Sequence, residues 1–224
     1  MRLYHHSVCP FSRRVRLLCA EKAIEPELAE ERPWERRLEF LMLNPAGVLP
    51  VLRDGDVLLV GAYAVSEWLE EQHPEPCLLP GDAVQRAEVR RLVAWFDEKF
   101  HAEVGMLLSQ EKLVRRFMAR ADGGGSPRVQ HLRAGLENLH AHMEYIGALL
   151  ARRAWLAGED LSLADFAAAA HLSCADYTGD IAWAHYPQAR QWYMRLKSRP
   201  SFRGLLQDRI PGLVPAAHYA APDF

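Results

Sequence analysis

The sequence predicts two domains, an α/β unit over residues 1–80 followed by an all-helical unit over residues 87–205. Three observations carry this. Strand and helix signals alternate as far as Pro80, in the order βαβαββα. Beyond Pro80 no segment has a strand pattern. Apolar residues there recur at helical spacing over long stretches, which fits a separate helical layer. A chain of 224 residues suits one large domain or two small ones. Residues 81–86 are expected to be a linker, and 206–224 a C-terminal tail.

Met1–His6 opens as a short strand. Phe11, Val15, Leu18 and Cys19 then recur at helical spacing up to Lys22. Glu27–Ala29 is a second strand, with Pro26 at its start, where a strand tolerates proline. Trp34–Leu43 is expected as one short helix, closed by Asn44-Pro45-Ala46-Gly47. Val48–Arg53 and Val57–Val60 flank Asp54-Gly55, a hairpin-turn signal. Ala62–Gln72 places Val65, Trp68 and Leu69 on one helix face, and His73-Pro74 stops it.

After the linker, Ala87–Arg120 is a long helical stretch with Leu92, Val93, Trp95 and Phe96 near its start. Asp122–Pro127, with three consecutive glycines, is a loop. Val129–Ala154 is a second long helix. Ser162–Cys174 is so rich in alanine that burial on all sides is expected. Pro187–Ser198 is a fourth helix, and a short one follows Arg199-Pro200. Pro211–Phe224 shows no helical pattern.

Composition narrows the function classes. Half the residues are hydrophobic and a quarter charged, enough for a full core. A formal net charge of -2 gives no reason to expect nucleic acid as a partner. Arg13, Arg14 and Arg16, like Arg36 and Arg37, are expected on solvated helix faces. Cys9, Cys19, Cys77 and Cys174 have irregular spacing, with neither a CxxC nor a zinc-finger pattern. No apolar run approaches the roughly 18 residues of a membrane span, so no membrane insertion is expected. The first strand begins close to Met1, which leaves no room for a signal peptide. A cytoplasmic chain with reduced thiols is the expectation. The scattered His5, His6, His140, His142 and His171 form no HExxH-type pair, so no metal is expected.

Three motifs, in order, resemble the glutathione S-transferase superfamily over nearly the whole chain. They are Cys9-Pro10-Phe11-Ser12 at the first strand-to-helix turn, Asn44-Pro45-Ala46-Gly47-Val48-Leu49-Pro50-Val51-Leu52, and Ser162-Leu163-Ala164-Asp165. The resemblance implies a thioredoxin-like N-terminal domain and an all-α C-terminal domain. It places the family's catalytic position on Cys9, with Ser12 the lesser candidate and more simply a helix-start cap. A helix start lowers a thiol's pKa, which would activate Cys9; a small buried filler is the other reading of that residue. By the same resemblance Pro50 is cis, and Leu49 offers its backbone to the cysteinyl part of glutathione. Ser162 and Asp165 match a buried capping box, a structural role.

The chain departs from the family at one place. An acidic residue and a serine normally precede the third helix and hold the γ-glutamyl end of glutathione. Here Gly61 and Ala62 stand there. Losing a charge-assisted partner costs about 1.5–3 kcal/mol, a factor of roughly 10–150 in affinity. Backbone N–H groups remain to hold a carboxylate.

Trp34, Arg36 and Arg37 after the second strand, and a tail that ends in Asp223-Phe224, resemble the transferase-like division proteins of certain bacteria, which bind the filament protein FtsZ. Two functions therefore stand open. One is a homodimeric FtsZ-binding factor that uses Trp34, Arg36, Arg37, Asp223 and Phe224. The other is a glutathione-dependent transferase or thiol transferase that uses Cys9.

Overall fold

A computed structural model describes all 224 residues. Its one sheet has four strands, β1 (Arg2–His5), β2 (Glu27–Glu30), β3 (Val51–Asp54) and β4 (Val57–Val60), in the order β2-β1-β3-β4. β1 and β2 run parallel, with Arg2 opposite Glu27. β3 is antiparallel to β1, and β4 to β3, with Val51 opposite Val60. Gly55 makes the expected tight turn between them at φ 58°. The parallel pair requires a crossover, and α1 (Pro10–Glu21) supplies it.

The helix expected over 34–43 is instead two pieces. Pro33–Glu35 forms a single 3-10 turn, and α2 begins at Leu38 and ends at Leu43. Arg36 between them is left-handed, at φ 48° and ψ 41°, and ends the first turn. Arg37 then turns its guanidinium back to the buried carboxylate of Glu31, at 2.7 Å. α3 spans Ala62–Gln72 as expected.

Helix α4 (Ala83–Ala94) starts inside the stretch expected as a linker. Asp82 accepts the N–H groups of Val84 and Gln85 at 2.8 and 2.9 Å, and Gln85 Oε1 accepts the Asp82 N–H at 2.7 Å. This reciprocal box satisfies donors that a helix start otherwise leaves unpaired. Asp82→Ala is expected to cost ~1 kcal/mol in urea unfolding; a midpoint that does not move would show the box to be idle.

α4 runs on without a break into wider, π-type turns over Trp95–Val114, then 3-10 turns at Arg115–Phe117 and Arg120–Asp122. α5 (Val129–Leu150), α6 (Leu163–Tyr177), α7 (Pro187–Lys197) and α8 (Arg203–Leu206) complete the helical unit. Every residue of α6 is buried, as its alanine content predicts. Its small side chains let α1, α4 and the π-type segment approach closely. One apolar core joins Leu3, Val15, Leu18 and Val65 to Phe96, Phe100, Phe166 and Trp192, so the two units share it. No helix is long and apolar enough to cross a membrane.

Arg13 and Arg14 overturn the expectation of a solvated face. Both are fully buried between α1 and the helical unit. Arg14 donates to both oxygens of Asp97, at 2.8 and 2.9 Å. Arg13 donates through Nε to the Ser7 carbonyl at 2.6 Å, and through Nη1 to Ser173 Oγ at 2.8 Å and Tyr219 Oη at 3.2 Å. Arg16 is bidentate on Asp208. Charge is buried here because each guanidinium meets fixed acceptors.

The tail is irregular, as expected, yet firmly docked. Tyr219 is buried, and its hydroxyl donates to the Leu205 carbonyl at 2.9 Å. His218 Nε2 lies 2.8 Å from Asp176 Oδ1. The Phe224 ring covers Lys197 Nζ at 4.1 Å from its centroid, beside Trp183 and Tyr193.

Candidate functional site

A cavity of about 600 Å³ lies where the starts of α1 and α3 face the π-type helical segment. Its N-terminal wall holds Cys9, Pro10, Phe11, Leu49, Gly61 and Ala62. Cys9 is the N-cap of α1, with Pro10 in the first turn, where the missing N–H costs nothing. Leu49-Pro50 is cis, as expected. Gly61 is the N-cap of α3 at φ 87°, a conformation that favours glycine, and its N–H bonds the Pro50 carbonyl at 2.9 Å.

The Cys9 thiol is not activated in the way a helix start alone predicts. Burial pushes its pKa up. That outweighs the Ser12 hydroxyl and the Ser12 and Phe11 N–H groups, which favour the thiolate. Ser12 does not cap α1. It is buried on the helix's first turn, and its hydroxyl accepts the His6 N–H at 3.3 Å.

The helical wall carries a polar cluster that the sequence reading passed over. Asp97, His101, Ser109 and Gln110 line it, with Met106, Val114 and Met118 between them. Asp97 is held by Arg14 and lies 3.4 Å from His171 Nε2. Burial opposes its charge, yet hydrogen bonding to His171 and the Arg14 guanidinium hold its pKa below the ordinary value. Burial lowers His101 to about 4 and lowers His171 as well, so both rings are neutral at pH 7. The signal for this wall was present in the sequence. Asp97, His101 and Gly105 recur every fourth residue on one helical face.

The remaining candidates fall in separate places. Trp34 is half-buried in the cavity mouth, stacked on Phe117 at 6.2 Å and edge-on to His6 at 4.9 Å. Arg36 and Arg37 are exposed beyond it. Asp223 is exposed on the docked tail, while the Phe224 ring packs inward against the main core. Ser162 and Asp165 lie away from the cavity and form the expected capping pair, the Ser162 N–H and hydroxyl each donating to Asp165 Oδ2 at 3.0 Å.

The lining has no lysine or arginine and one carboxylate, Asp97, already paired. Neither Gly61 nor Ala62 brings a polar side chain. A ligand end that carries both an ammonium and a carboxylate, as glutathione does, finds no charged side chain free to pair with either.

Comparison with known proteins agrees with the fold. Residues 3–77 match the family description "Glutathione S-transferase, N-terminal domain", and residues 129–195 match "Glutathione S-transferase, C-terminal domain". The chain is 47% identical to the FtsZ-localized protein A of Caulobacter vibrioides, over 99% of this chain and 97% of that one. Among solved structures, a glutathione S-transferase from Sinorhizobium meliloti superposes with a TM-score of 0.96 at 46% identity, covering 100% of this chain and 99% of the other. FzlA from C. crescentus superposes at 0.93 with 46% identity and the same coverage.

Proposed function

This chain belongs to the glutathione S-transferase superfamily, with its thioredoxin-like and helical domains, and on that premise we propose that it is a non-catalytic homodimeric factor in bacterial cell division that binds FtsZ filaments in the cytoplasm. The observation that carries this is the likeness, along 99% of the chain, to the FtsZ-localized protein A. The bare positions Gly61 and Ala62 support it, because a scaffold needs no grip on glutathione. So does the docked tail. An end already fixed by Tyr219 and Phe224 loses less freedom when a partner binds than a loose end does.

The contact surface in this proposal runs from Arg36 and Arg37, outside the Trp34 mouth, to Asp223. Trp34 and Phe224 serve it by shaping the surface, since their rings face inward. Cosedimentation with FtsZ filaments tests it. The wild type is expected to pellet with filaments, and Asp223→Lys to weaken binding about tenfold, the effect of roughly 1.4 kcal/mol at a contact. A wild type that stays in the supernatant, or a variant that pellets in full, refutes the proposal.

The homodimer in this proposal would cover apolar side chains that both domains leave exposed. Val57, Leu58, Val60 and Tyr63 are 37–51% exposed on the first domain, and Met106, Val129 and Leu136 are 44–70% exposed on the second. A twofold axis lets such side chains on one copy's first domain meet those on its partner's second. Light scattering is expected to give twice the chain mass, with Val129→Glu shifting it toward the monomer. A monomeric wild type would contradict this.

A second function, glutathione-dependent thiol transfer, is favoured by one observation, that Cys9 and Leu49 line the same cavity. With no free charged side chain for glutathione's γ-glutamyl end, binding through backbone N–H groups alone is expected to be weak, and the protein is expected to flow through immobilised glutathione. Retention there, together with thiol transfer abolished by Cys9→Ala, would make the chain an enzyme.

A further inference from the structure

A groove of about 660 Å³ opens between the 3-10 turns that follow the π-type segment, the glycine loop and the tail. Arg116 and Arg120 line it from the turns, Ser126 from the loop, and Leu213 and Val214 from the tail. Its walls are held in place. The N–H groups of Gly123, Gly124 and Gly125 bond the carbonyls of Arg120, Ala119 and Arg115 at 2.9 to 3.2 Å. On the tail side, the Leu213 N–H bonds the Ile210 carbonyl at 3.0 Å, and the Leu213 carbonyl accepts the Tyr177 hydroxyl at 3.1 Å. Arg116 Nη2 donates to the Gly212 carbonyl at 2.7 Å, and a Cβ on Gly212 would lie 2.9 Å from that nitrogen. Val214 is therefore 87% exposed on a fixed turn, not on a loose end.

The charges around the groove do not balance. Lys112 lines it and is matched by Asp180. Glu111 lines it too, but its carboxylate is buried and taken up by Arg115, Arg128 and His131. Arg120 makes no side-chain contact with a charged or polar group of the chain, and Arg116 has only the Gly212 carbonyl and the face of Phe117. Asp122, two residues beyond Arg120, is exposed. Lys112, Arg115, Arg116, Arg120 and Arg128 thus stand against the carboxylates of Glu111, Asp122 and Asp180. The excess is positive, and it selects an acidic ligand. Free phosphate is the poorer match, because the glycine N–H groups that would cradle it already bond carbonyls. A guanidinium fork suits a carboxylate. Leu213 and Val214 offer an apolar contact that an inorganic anion cannot use.

We propose that this groove binds a flexible acidic segment of a partner protein, whose carboxylates pair with Arg116 and Arg120 while an apolar side chain between them packs on Val214. The fixed turn and loop lower the ordering cost of that contact. The proposal does not require FtsZ to be the partner, so it stands or falls apart from filament binding.

Fluorescence anisotropy of a labelled Glu-Glu-Leu-Glu-Glu peptide with the full chain at low salt tests it. The comparison peptides carry lysine in place of glutamate, or serine in place of leucine. The wild type is expected to bind the acidic leucine peptide and not the lysine form. It is expected to hold leucine roughly fivefold more tightly than serine, as when part of one leucine side chain is buried. Arg120→Glu is expected to weaken binding roughly tenfold. Val214→Ser is expected to bring the leucine and serine peptides level. Both residues are exposed, so neither variant is expected to disturb the fold. Arg152→Glu makes the same change of net charge beyond the other end of α5, roughly 30 Å away, and is expected to leave binding unchanged. Phosphate is expected to compete no better than chloride at matched ionic strength. No binding of the acidic peptide, equal binding of the lysine form, equal binding of the leucine and serine forms by the wild type, equal losses in Arg120→Glu and Arg152→Glu, a leucine preference that survives Val214→Ser, or displacement by phosphate beyond the matched chloride would each overturn the proposal.

Discussion

Replacing Asp165 by alanine will lower the unfolding free energy by about 3–5 kcal/mol, the range for breaking a buried polar network. The carboxylate is buried and accepts from four donors. These are the Ser162 N–H and hydroxyl at 3.0 Å each, the Leu156 N–H at 3.0 Å and the Trp192 indole N–H at 2.8 Å. A helix cap alone is worth ~1 kcal/mol. The larger figure follows because alanine strands two backbone donors and an indole in a dry interior. Each such group costs about 1–3 kcal/mol, with the sum less than additive. At this chain length the midpoint of thermal unfolding should fall by about 10–15 °C. Asp165→Asn keeps one acceptor oxygen and should lose less. An alanine variant with the stability of the wild type would show that Ser162 and Trp192 find other partners.

That capping pair was legible because its partners lie three residues apart. Local signals in general survive in the sequence. Asp54-Gly55 between two apolar runs gave the hairpin, and the alanines of 167–170 gave a helix buried all round. The Asp82–Gln85 box was equally local, and reading it would have started α4 at Ala83 rather than at Ala87. What the sequence hid depends on partners far along the chain. Arg14 is neutralised by Asp97, 83 positions away, and Arg13 meets Tyr219, 206 positions away. No window of sequence distinguishes such an arginine from a solvated one. The cleft was half legible for the same reason. Cys9, Leu49 and Gly61 belong to motifs, whereas His101 acquires its meaning only when Phe11, His171 and Gly105 close around it. The place of Trp34 likewise depends on Phe117, which stacks on it from the helical unit.

Arg13→Met is the variant that should release the tail. Methionine fills much of the same volume, so the loss is mainly of hydrogen bonds. Arg13 is fully buried and ties three elements together, the β1–α1 turn through Ser7, α6 through Ser173 and the tail through Tyr219. Without the guanidinium, the Ser7 carbonyl loses a buried donor. Asp208 keeps Arg16, and the Ser173 hydroxyl keeps the Ala170 carbonyl as acceptor but loses Arg13 as donor. The Tyr219 hydroxyl keeps the Leu205 carbonyl but loses its own donor. A loss of about 2–4 kcal/mol follows from stranding three buried acceptors of a charged donor, with the sum less than additive. The local effect is more telling than the global one. Amide exchange at Tyr219 and Ala221, whose N–H groups bond Ala216 and His218 carbonyls, should speed up well before the helices unfold. If the docked tail presents Asp223 to FtsZ, the same variant should pellet less well with filaments while α6 stays protected. Full pelleting with a loosened tail would separate the two, and would show that the partner grips Asp223 without needing Tyr219 in place.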